Sequence, residues 1–234
     1  MKPINVLLSL LSLNAVIVIV ERLSPTTKIL LQPYNFLRLH EVVQMLAVIP
    51  LSFIISYLLL KIISDDFRLL RSVRGTVLGI VFVLGLYLTA TGNGAHETAG
   101  FIYNTFCNTT HIGVGACASA YINDYYFGNI VYFLGLLLSN LALILLERSH
   151  PDRTLTRNDI VIVGINGVIY ALTLFAYSAF DVVAVGMWFT LTMAVLVDWL
   201  LLTSKTRPKT LPFTLYSAVA YSLAAVATVL VRFK

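Results

Sequence analysis

Long apolar runs separated by short polar breaks dominate this chain, and their spacing is that of membrane spans. Seven such runs stand out, at about 5–22, 39–63, 75–91, 125–147, 159–180, 182–203 and 211–231. Each is long enough for a helix to cross a hydrocarbon core about 30 Å thick. In lipid the backbone must satisfy its own polar groups, which only helices and closed barrels do, and the alternating ten-residue strands of a barrel are missing. The expected fold is therefore all-α, a seven-helix transmembrane bundle forming one domain over residues 1–234. No small-x-small cleavage site follows Val20-Glu21-Arg22, so the first run is kept as a span. Pro50 lies inside the second run, where it would kink the helix and tilt the outer half.

Composition agrees with the pattern. Hydrophobic residues make up 59% of the chain and charged residues 12%, whereas a soluble domain is about a quarter charged. The net charge of +5 resides in short loops and reports topology, not nucleic-acid binding. With seven spans, the face holding the N-terminus and the second, fourth and sixth loops carries eleven of the sixteen Lys and Arg, and the other face five. The positive-inside rule then places the N-terminus in the cytoplasm and the C-terminus outside.

That orientation gathers chemistry on the outer face. His40, His96 and His111 fall there, with Glu21, Glu41, Glu97, Asp124 and Asp181, while His150 lies inside in a polar turn. Residues 92–124 read as an outer cap and residues 24–38 as a short interfacial segment. Cys107 and Cys117 are the only cysteines, ten residues apart, and suit a disulfide in an oxidising compartment. Asn108-Thr109-Thr110 fits the glycosylation acceptor pattern.

Two His-Glu pairs carry the candidate chemistry. His40-Glu41 opens the second span, with Gln44 on the same helical face as His40. His96-Glu97 follows Gly92-Asn93-Gly94, which reads as a sharp reversal. A helix starting there would put His96, Gly100 and Tyr103 on one side. Neither pair is a His-Glu-x-x-His zinc motif, because the fifth positions are Gln44 and Gly100. A site assembled from several helices remains: His40, His96 and Asp124 as ligands for zinc or non-haem iron, with Glu41 and Glu97 moving protons. Asn129 would orient a ligand from behind. The bland alternative is that these groups cap helices in the headgroup zone. Polar stripes at Asn166, Tyr170, Thr173 and Tyr177, and at Thr214, Ser217, Tyr221 and Thr228, fit helix–helix hydrogen bonding or a water-filled path. Asp198 is the one carboxylate well inside an apolar run.

Seven spans alone do not define a family. A microbial rhodopsin would carry a lysine in its last span, and 211–231 has none. The leading expectation is a membrane-embedded, hydrolase-like enzyme acting on a lipid or other amphiphile. The alternative is a non-catalytic accessory subunit of a larger membrane complex. A bis-histidine haem protein using His40 and His96 is a weaker third. The partners expected are the lipid bilayer and, on the second reading, other membrane subunits.

Overall fold

Seven helices long and apolar enough to cross a membrane make up the computed structural model, which describes residues 3–151, 154–204 and 208–234. They are α1 (Pro3–Arg22), α2 (Leu39–Ile63), α3 (Val73–Phe106), α4 (Ala116–Ser149), α5 (Arg157–Phe180), α6 (Val185–Leu202) and α7 (Pro212–Arg232). No strand forms among the described residues, where a lone bridge between Leu30 and Arg38 closes the first loop. This is the architecture of a multi-pass membrane protein. Lys2, Arg153, Lys205 and Arg207, counted above toward the basic face, lie outside the described residues.

The third and fourth spans differ from the sequence reading. Gly92-Asn93-Gly94 is not a turn: α3 runs unbroken for 34 residues, about 50 Å at the helical rise. The glycines serve packing instead. A Cβ on Gly92 would fall 2.2 Å from the Tyr132 nitrogen, and one on Gly135 would fall 2.4 Å from the Thr89 nitrogen. Small residues thus let α3 and α4 approach backbone to backbone, as membrane helices commonly do. The two helices pack along their length and project together at one end, so residues 92–106 and 116–124 are helix, and only the segment between Phe106 and Ala116 is loop. A Cys107–Cys117 disulfide closes that loop.

The remaining helices wrap this pair. Helix α5 packs on α7, α7 on α6, and α1 lies against both α5 and α2. Most buried apolar side chains form one continuous core, with Phe82, Leu59, Met193, Phe213 and Tyr221 among its fully enclosed members. Buried polar side chains join helices directly. Asn5 donates to Asp159 at 2.6 Å, Asn166 to Ser9 at 3.0 Å, and Ser222 to Asp198 at 2.8 Å. Glu147 accepts from the Phe213 and Thr214 nitrogens, both at 2.8 Å, and so caps α7. The Thr214 and Asn166 ends of the two polar stripes therefore serve helix contacts.

Pro50 acts through a π-turn. Proline lacks the N–H that would bond four residues back, and the preceding turn, Gln44–Val48, widens so that the Ile49 nitrogen bonds to the Gln44 carbonyl. A second π-turn, Asn123–Gly128, interrupts α4. Such turns rotate what precedes them relative to the rest of the helix. The first re-aims His40 and Glu41, and the second holds Asp124.

Candidate functional site

The C-terminal end of α1, the start of α2 and the projecting parts of α3 and α4 converge at one end of the bundle. Each delivers an ionisable side chain into a cavity of about 230 Å³ walled by Arg22, Arg38, His40, Glu41, His96, Glu97 and Asp124 among others. Glu41, Glu97 and Asp124 are 3–5% exposed, an unusual depth for carboxylates that the pairing below explains.

His96 lies on α3 against the α4 π-turn. Its Nδ1 is 2.7 Å from Asp124 Oδ1 and 3.1 Å from the Asp124 carbonyl oxygen. Both are acceptors, so Nδ1 carries the proton and, in the neutral ring, Nε2 keeps its lone pair. That Nε2 faces Arg22 NH2 at 3.4 Å. Gly100, one turn on, leaves room for Asp124, whose Oδ1 would be 3.0 Å from a Cβ there. The expectation that His96, Gly100 and Tyr103 share a side holds: Tyr103 continues the same face, its ring 5.4 Å from that of Tyr121 on α4.

His40 repeats the arrangement on α2. Its Nδ1 contacts the Glu21 carboxylate at the end of α1, and its Nε2 lies 3.8 Å from Glu97 Oε2. Glu21 is further held by Thr26 Oγ1 and by Gln44 Nε2, the latter at 3.0 Å. Gln44 does share the His40 face, but through the shared carboxylate. Glu97 sits between the halves, 3.8 Å from His40 Nε2 and 3.8 Å from Arg22 NH2. Each imidazole thus meets a carboxylate at Nδ1, held by hydrogen bonding for His96 and by close contact for His40, and each Nε2 turns toward the Glu97–Arg22 pair.

Other candidates are placed elsewhere. Glu41 caps its own helix, accepting from the Arg38 nitrogen at 2.9 Å with the Arg38 guanidinium 3.6 Å away. His111 is exposed in the disulfide loop. Asn108 is exposed and holds Thr110 in a local turn. Asn129 donates to the Tyr125 carbonyl of its own helix at 3.0 Å and does not reach Asp124. Asp181 accepts from the Val183 and Gly186 nitrogens at the start of α6. His40, His96 and Asp124 divide between two separate pairs, and no group of three or more His, Cys, Asp or Glu is arranged to hold a metal among the described residues.

A second cavity of about 320 Å³ adjoins the first, lined largely by apolar groups of α1, α4 and α5, including Val18, Phe133, Ala176 and Phe180. Arg22, His96 and Tyr125 line both. Exposed Leu23, Phe180 and Val182 stand at its rim. Arg22 spans the junction, with its guanidinium also 5.4 Å from the Tyr177 ring centre. No motif in the sequence marks Glu21, Arg22, Arg38 or Tyr125 as a site residue: the arginines read as topology charges and Tyr125 as part of an interfacial aromatic belt. The available signal was that Glu21-Arg22 is a charged pair ending an apolar run, which requires a partner if buried.

Comparison with known proteins finds no matching family model, no matching curated protein and no matching solved structure.

Proposed function

We propose that the chain is a membrane-embedded acid–base enzyme that hydrolyses an ester or amide bond in an amphiphilic substrate. One observation carries this reading: a polar cavity holding two histidines, each with a carboxylate against Nδ1, shares Arg22, His96 and Tyr125 with an apolar cavity. The polar group of an amphiphile fits the first and its chain the second. Two imidazoles whose Nε2 atoms turn toward a buried carboxylate and an arginine are what general acid–base catalysis requires. Glu97, between His40 and Arg22, takes a proton from water as its oxygen attacks the carbonyl carbon. Arg22 donates to the developing oxyanion, which draws it off His96 Nε2. His40 or His96, protonated, gives a proton to the leaving oxygen or nitrogen as its bond to carbon breaks. In this reading the pairs serve proton transfer rather than metal ligation, and Glu41 positions α2.

The same end faces outside the cell or an equivalent oxidising compartment, with the N-terminus in the cytoplasm. The disulfide and the basic opposite face support that placement.

The test is product formation, read by mass spectrometry, from a panel of long-chain esters and amides presented in mixed micelles. Turnover lost in Glu97→Gln and His96→Asn, with folding intact, supports the proposal. Equal product from wild type and both variants contradicts it. The observation favouring the other reading, an accessory subunit, is that every site histidine already has a carboxylate partner, so the network would serve as a clasp between α1, α2, α3 and α4. On that reading the same variants lose thermal stability, and the wild type turns over nothing in the panel.

A further inference from the structure

A third cavity lies deeper in the bundle, about 100 Å³ in volume and walled by α1, α2, α3, α4 and α5 with Phe213 of α7. Its walls carry no carboxylate, lysine, arginine or histidine but many neutral polar groups, among them Asn14, Ser52, Thr89, Asn140 and Thr173. Two of these are unmatched. Asn14 is 3% exposed and Thr173 8%, yet Asn14 Oδ1 and Thr173 Oγ1 have no hydrogen-bond partner in the protein. An amide oxygen or hydroxyl buried without a partner is destabilising, and Leu or Val in its place would avoid that cost. The other polar groups of the wall are turned inward on their own helices or neighbours. Asn14 Nδ2 donates to Ser52 Oγ at 2.7 Å, Thr89 Oγ1 to the Gly85 carbonyl at 2.9 Å, and Asn140 Nδ2 to the Leu136 carbonyl at 2.7 Å. They leave acceptor lone pairs free for a ligand that both donates and accepts.

We infer that this chamber is a binding site for a cluster of water held inside the bundle. The volume admits several molecules at about 30 Å³ each, and the wall offers the two to four polar partners that each bound water takes. A wholly apolar cavity of this size would stay dry; this one, though walled mainly by apolar side chains, carries the two unpartnered atoms and several other neutral polar groups among them. Water suits it better than an ion, since no charged side chain lines it. The chamber is continuous in wall with the apolar cavity through Val18, Phe133 and Tyr177. Tyr177 lies one turn beyond Thr173 on α5 and touches Arg22 at its other side. The Tyr170, Thr173, Tyr177 part of the polar stripe is thereby given a purpose that helix–helix bonding does not supply. The inference stands without the enzymatic reading of the outer site; if that reading holds, the chamber is a store of water beneath it.

Hydroxyl radicals generated in place from bound water, followed by mass spectrometry of the modified side chains, test this without any activity assay. Tyr170 and Tyr132 line the chamber, while Phe175, likewise partly buried, does not. The expected result is modification of Tyr170 and Tyr132 several-fold faster than of Phe175, falling to the Phe175 level in an Asn14→Leu, Thr173→Val double variant. Tyr170 and Tyr132 as unreactive as Phe175 in the wild type would show a dry chamber and overturn the inference. So would equal modification in wild type and a folded double variant. The wild-type comparison decides the matter even if the variant fails to fold.

Discussion

Asp124 shows how much of the site depends on single side chains. It is 3% exposed, sits on a π-turn and holds His96 through Nδ1. Asn in its place keeps the shape but loses the charge that stabilises a protonated imidazole. Asp124→Asn is expected to lower turnover by about 10²-fold or more, the range of a misdirected acid–base group, with substrate binding little changed. Steady-state kinetics on the substrate found in the panel would separate the two. Gly100→Ala tests the same contact from the other side. Its Cβ would lie 3.0 Å from Asp124 Oδ1, so the carboxylate must shift by a few tenths of an ångström and turnover falls while the fold persists. The presence of a cluster could be read from the chain, since His-Glu pairs near span ends are rare in an apolar frame. The pairing could not. Which carboxylate meets which imidazole depends on the rotation of α2 and α4 by their π-turns, and Asp124 carries no local mark of a π-turn.

At the scale of elements, Gly92-Asn93-Gly94 is the instructive case. Local turn chemistry favours a reversal there, but in the folded chain the motif lies within α3 because Gly92 packs on the α4 backbone. Close approach of another helix overrode the propensity, and nothing within one helix reports its neighbour. The two glycines should therefore respond in opposite ways. Gly92→Ala is expected to destabilise by about 1–3 kcal/mol, the usual effect of overpacking. Gly94, with nothing within 4 Å of its would-be Cβ, should gain about 0.5–1 kcal/mol on substitution by Ala, as helical glycines do. Thermal unfolding in one detergent checks both; destabilisation by both would place the turn back in the sequence. The disulfide is a separate restraint. Closing the ten-residue separation between Cys107 and Cys117 should contribute about 2–3 kcal/mol, read as the loss of unfolding temperature on substituting both by Ser.

For the whole molecule, hydropathy made the number of spans legible because lipid imposes one rule on every residue of a span. It did not reveal that α3 and α4 run for 34 residues each, well beyond the roughly 20 that a bilayer core needs, since the polar residues of 92–106 resemble a loop when read alone. Nor did it reveal the adjoining cavities, which arise only from the packing of α1 to α5 against one another. Orientation is the next property to test. A membrane-impermeant thiol reagent should label Thr105→Cys, at the site end, from outside intact cells, and label Thr203→Cys, at the opposite end, only after permeabilisation. The reverse pattern would invert the placement of the site.

The central claim is that the polar and apolar cavities together hold one amphiphile. Native mass spectrometry of delipidated protein, titrated with a single-chain amide, ester or alcohol, tests it directly. One bound amphiphile per chain is predicted for the wild type. In Ala176→Trp, whose indole fills the apolar cavity, that binding should be lost without loss of thermal stability. Equal binding by the two, or none by the wild type across the series, would contradict the account.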